Sequence, residues 1–134
     1  MLTATSTMTT VPAAWNGEQV RTWLDSRIAA ARRDQADADR RGYEARDAYD
    51  MAAAEEWVCK AVRAAAASND QAVFADRLKA LLAEDEYPTT GIHDDRRFER
   101  YVRANLRKLT KMAKANTGFA NTLHFSIIPC ILPL

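Results

Sequence analysis

A chain of 134 residues with a near-neutral total charge has material for one modest core, not for a multidomain enzyme with a deep cleft. The neutral total hides an asymmetry: residues 1–90 carry 11 Lys+Arg against 15 Asp+Glu, residues 91–116 carry 8 against 3, and residues 117–134 carry none. Such separation leaves two destinations for the basic segment, an external polyanion or the acidic part of its own chain.

The start, Met1 to Ala14, is rich in Thr and has neither a basic n-region nor an apolar h-region. That disfavours a secretory signal and predicts a disordered N-terminal segment over 1–15. Cys59 and Cys130 have no CxxC spacing and no clustered His, so neither a zinc site nor a disulfide framework is indicated, and a cytoplasmic setting is expected. The Ala, Arg and Asp-rich body matches the codon bias of a high-GC bacterial or mobile-element protein.

The four prolines and four glycines fall almost entirely where helices would begin, pause or end, which predicts an all-α fold, a three- or four-helix bundle over 16–118. The first helix is expected to open at Gly17, with Asn16 as N-cap, Gln19 three residues on, and Trp15 and Val20 placed as a hydrophobic staple. Val20, Trp23, Leu24, Ile28 and Ala31 share its apolar stripe. The pattern loosens at Arg40, Arg41 and Gly42, then resumes through Tyr49, Ala53, Trp57 and Val62. Gly42 either kinks one long helix or separates two.

Leu24, Ala31, Ala38, Ala45, Ala52, Cys59 and Ala66 recur every seven residues, a seam of small side chains that permits close helix approach. About a third of residues 24–66 are Ala, and the companion heptad positions include Gln35, Gly42 and Glu56, which favours an antiparallel bundle over an extended coiled coil. Ser68, Asn69 and Asp70 supply caps for a shorter helix that carries Phe74, Leu78, Leu81 and Leu82 and is expected to end near Glu86.

The helix read from Asp94 to Asn116 is the most informative element. At about 100° per residue, Phe98, Tyr101, Val102, Leu109, Met112 and Ala113 form one face, while Arg96, Arg100, Arg103, Arg107, Lys111 and Lys114 line the other. Asp94 and Asp95 sit where the helix dipole favours acids, lysines dominate the last turns, and Gly118 reads as the stop. Residues 119–134, FANTLHFSIIPCILPL, form a short apolar C-terminal tail, too short and too Pro-interrupted to span a bilayer as a helix.

No catalytic constellation stands out. The glycines are too far apart for a phosphate loop, and no Glu-x-x-His pair suggests a carboxylate-bridged metal. His93 reads as a loop or capping residue, His124 as part of the tail, and Cys59 as a buried, inert thiol. The protein is therefore expected to be no enzyme, to hold no metal or cofactor, and to take no small-molecule substrate.

The expected function is polyanion binding by the basic helix, with nucleic acid as partner and weak sequence specificity, through Arg96, Arg100, Arg103, Arg107, Lys111 and Lys114 as phosphate contacts. A helix-turn-helix is disfavoured because the connection before the basic helix is about twice the usual three or four residues. A membrane partner is disfavoured too, since the helix's apolar face is needed by the core. The rival reading is a helical assembly or adaptor protein, with protein contacts or self-association through the Ala-rich helices and the apolar tail.

Overall fold

In the computed structural model, residues 14–119 are described. They form four α-helices, with no strand among them: α1 (Gly17–Arg41), α2 (Arg46–Ala66), α3 (Gln71–Leu82) and α4 (Asp95–Ala115), and a single 3-10 turn, Tyr43–Ala45, joins α1 to α2. The all-α bundle expected from periodicity is the fold. The expected behaviour of 1–13 and of 120–134, including His124 and Cys130, concerns residues outside those described.

α1 begins where its signals put it: the Asn16 side chain accepts from Gln19 N at 3.0 Å. Gly17 has a second role. Its N–H donates to Asn69 Oδ1 at 2.7 Å, and a Cβ at this position would collide with the carbonyl oxygen of Ala66 at the end of α2. Gly17→Ala is therefore expected to destabilise the fold by about 1–3 kcal/mol through overpacking against backbone, read as a lower midpoint in urea with an unchanged slope.

Gly42 ends α1. At φ 89° it occupies a conformation that L side chains rarely adopt, and its N–H closes the helix onto Ala38 O and Asp39 O. The chain then reverses, and α2 runs back along α1 as an antiparallel hairpin. The cross-links show the direction: Arg63 meets Asp25 near the open end, and Arg32 meets Glu56 nearer the Gly42 turn. All seven members of the heptad seam are buried. It is spent inside the hairpin, where α1 and α2 approach each other, and not on a second chain.

The hairpin is also electrostatically self-contained. Arg27 bonds Glu55 through Nε at 2.8 Å and Nη2 at 3.1 Å, Arg40 and Arg41 meet Asp37, and Glu56 receives Arg32, Lys60 and Gln35. Partial burial works against the Glu56 carboxylate, but the hydrogen bonds from Lys60, Gln35 and Arg32 outweigh it and hold its pKa at about 2. Its folded pKa is depressed, so the stabilisation is present above the ordinary value of 4.5 and is lost as pH falls toward 2. Glu56→Gln is expected to flatten the loss of stability between those limits, measured by denaturation at stepped pH. An unchanged acid limb would place the effect elsewhere.

α4 packs on α2 and α3 and completes one core. The nine residues expected to be buried together, Trp23, Leu24, Ile28, Phe74, Leu78, Leu81, Phe98, Val102 and Leu109, all belong to it. Leu106, fully buried on the same stripe of α4, joins them.

Both ends of the body reach further than composition suggests. Trp15, within the segment expected to be disordered, lies 5.4 Å from Phe74 and 5.8 Å from Phe119 between ring centroids. Phe119, assigned by composition to the tail, is buried and also meets Trp23 edge-on at 5.2 Å. Charge content and proline spacing mark the change of composition at this point, but burial is decided by the aromatic pocket that Trp15, Trp23 and Phe74 offer. A truncation after Gly118 would remove a core side chain, so the tail is cleanly separated only after Phe119.

Candidate nucleic-acid interface

α4 is fixed at both ends. The Asp94 side chain accepts from Arg97 N at 3.0 Å, and that hydrogen bond, aided by the nearby arginines, holds the Asp94 carboxyl below its usual range. At the other end Asn116 takes the left-handed conformation at φ 51°, so the cap is Asn116 and not the Gly118 expected from the sequence. The Gln71 side-chain amide from α3 donates to the terminal carbonyl of Ala113. Phe98, Val102, Leu106, Leu109 and Ala113 form the buried stripe.

Two arginines of this helix are bound within the fold. Arg97 reaches the carboxylate of Asp50, which is fully buried in α2, at 2.8 Å. Asp50 also accepts from the backbone N–H groups of His93 and Asp94, each at 3.0 Å. The Arg97 Nε lies 3.0 Å from Asp47 Oδ1, though its N–H is not directed at that oxygen. Tyr101 completes the cluster by donating to Asp47 at 2.7 Å. Asp50 thus ties the start of α4 to the middle of the hairpin.

Arg103, expected to contact phosphate, is the second. Its Nη1 donates to Leu82 O at 3.0 Å and its Nη2 to Glu84 O at 2.9 Å. Its Nε faces Glu99 at 3.3 Å, and the guanidinium carbon stands 5.0 Å from the Tyr87 ring centroid. The Tyr87 hydroxyl donates to Leu81 O at 2.8 Å. Together these groups satisfy the carbonyls at the end of α3, which stops at Leu82 rather than near Glu86. The connection to α4 therefore spans residues 83–94, longer than expected and further from a helix-turn-helix.

The other five expected contacts come together. Arg96, Arg100, Arg107, Lys111 and Lys114 are all exposed and fall within an arc of about 60°, centred opposite the buried stripe, over ~27 Å of helix at ~1.5 Å per residue. None of the five has a side-chain hydrogen bond or an ion pair among the described residues, and Lys108, beside the row, has none either. Lys108 was not singled out from the sequence because it sits well to one side of the basic stripe. Among the described residues no ion pair joins an acid of the hairpin to this row: Glu55, Glu56, Asp25 and Asp37 are paired with the hairpin's own cations, and Asp47 and Asp50 with Arg97.

Other chemistry-bearing side chains are occupied or isolated. Asn105 Nδ2 donates to Tyr101 O at 2.8 Å. His93 is exposed and meets Tyr49 edge-on at 5.3 Å. Burial pushes the Cys59 thiol up to about 12, which leaves it protonated and unreactive at neutral pH. A groove of about 280 Å³ beside Trp57, Tyr49 and Ile92 contains one acid, Glu56, already held by three partners. Among the described residues no three His, Cys, Asp or Glu converge as metal ligands, and no helix is long and apolar enough to cross a membrane. No family model, no curated protein and no solved structure matches this chain.

Proposed function

We propose that this protein is a non-enzymatic, cytoplasmic binding protein that grips nucleic acid through the exposed face of α4, contacting phosphates with Arg96, Arg100, Arg107, Lys111 and Lys114. One observation carries the reading: five cations stand in a solvent-exposed row with no partner among the described residues, while Asp25, Asp37, Glu55 and Glu56 of the hairpin are paired with its own cations. Aligned cations in water repel one another. A polyanion relieves that repulsion and releases its own counterions on binding.

The rival, an assembly or adaptor role, loses the Ala-lined seam, which is buried between α1 and α2, and keeps the apolar tail, of which residues 120–134 lie outside those described. A membrane surface would need the apolar face of α4, which is in the core. The test is a gel shift with unrelated duplex DNA over a salt series. Five phosphate contacts predict a slope of log affinity against log salt of about −4.5. A protein that shows no salt-sensitive binding at low ionic strength would overturn the proposal in favour of a protein partner.

A further inference from the structure

Resting on that reading, we infer that the basic face of α4 takes double-stranded DNA by its backbone and neither reads bases nor holds single strands. Proteins that bind single strands combine a basic track with aromatic rings on which bases stack, each worth about 1–3 kcal/mol. The exposed arc of α4 has no aromatic: Tyr101 bonds Asp47, and Tyr87, beneath Arg103, is buried. The large hydrophobic side chains exposed among the described residues are Tyr43, Met51 and Val73, all on other elements.

The same arc carries no Asn or Gln to read adenine, so any base contact would fall to the arginines and lysines that the phosphates also claim. Direct readout uses Arg, Lys, Asn or Gln reaching base edges in a groove that admits the helix. Here the arc between the cations is filled by Ala104 and Ala115, the nearby Asn105 amide is bonded to Tyr101 O, and the hydroxyl of Thr110 donates to Leu106 O at 2.8 Å. RNA duplexes are recognised largely through 2′-hydroxyl contacts across the minor groove, and the one hydroxyl at the edge of this face, that of Thr110, gives its proton to Leu106 O. The exposed residues from Thr110 round to Lys108 cover only about 160° of the helix at ~100° per residue.

Charge density then selects the duplex. Each phosphate contact contributes about 0.9 to the salt slope on B-DNA and about 0.7 on a single strand, so five contacts favour the duplex by about twentyfold at 50 mM salt when the two bind equally at 1 M. The experiment is fluorescence anisotropy of the full chain with a labelled 20-base-pair duplex of mixed sequence, the same labelled strand alone, a duplex of scrambled sequence, and an RNA duplex of matching sequence. The expected result is equal affinity for the two DNA duplexes, roughly twentyfold weaker binding to the single strand, and weaker binding to RNA. Tighter or equal binding to the single strand or the RNA duplex, or a preference of more than about tenfold between the DNA sequences, overturns the inference while leaving the nucleic-acid reading standing. Absence of salt-sensitive binding to every probe overturns both.

Discussion

Replacing Arg100, Arg107 and Lys111 together by Gln is expected to reduce the salt slope on duplex DNA from about −4.5 to about −1.8 and to weaken binding at 50 mM salt by at least about 100-fold. The melting temperature should not fall. These side chains make no hydrogen bond or ion pair among the described residues, and Gln has nearly the helix propensity of Arg and Lys. Arg103→Gln should do the reverse. Removing its bonds to Leu82 O and Glu84 O is expected to lower stability by about 1.5–3 kcal/mol, with an unchanged salt slope in the folded protein. If the triple variant binds DNA like the parent, the row is not the interface. If it unfolds, those cations pair within the chain and the assembly reading gains.

Asp50→Ala is expected to be the most destabilising single change in the molecule. The carboxylate is fully buried and accepts three hydrogen bonds, two from backbone N–H groups at the start of α4 and one from Arg97. Its removal leaves a half-buried guanidinium with its best partner gone and two backbone donors unsatisfied, a situation that costs about 3–5 kcal/mol. In a domain of roughly 100 residues that is a fall in melting temperature of more than about 10 °C, measurable by circular dichroism. Replacing Arg97 as well should restore little, because the donors of His93 and Asp94 remain orphaned. A fall of less than about 1 kcal/mol would mean that this cluster does not hold α4 to the hairpin.

Acidic and basic halves are plain in the linear charge count, and so is a helix with cations opposite an apolar stripe. What the count leaves open is whether the two halves neutralise each other. The fold answers by pairing within the hairpin: Asp25, Asp37, Glu55 and Glu56 find cations on α1 and α2. Among the described residues, only Arg97 and Arg103 of the basic helix are bound into the fold by their charged groups.

The sequence by itself determined the helical segments, the cap at Asn16, the capping stretch Ser68 to Asp70, the start of the last helix at Asp94, and the nine core residues, because helix periodicity and capping depend on neighbours three or four positions away. It also placed five cations on one face of α4. Tertiary structure decided the rest. Whether Gly42 kinks or breaks the chain depends on the hairpin that α1 and α2 gain by folding back. α3 stops at Leu82 because Tyr87 and Arg103, from outside the helix, take its last carbonyls. Asp50 and Arg97 read as two more surface charges until α4 crosses α2 and encloses them. Phe119 looks like the first residue of a foreign tail until Trp15, Trp23 and Phe74 surround it. Each of these depends on side chains tens of positions apart meeting at a helix crossing, and periodicity along one helix does not encode where another will cross it.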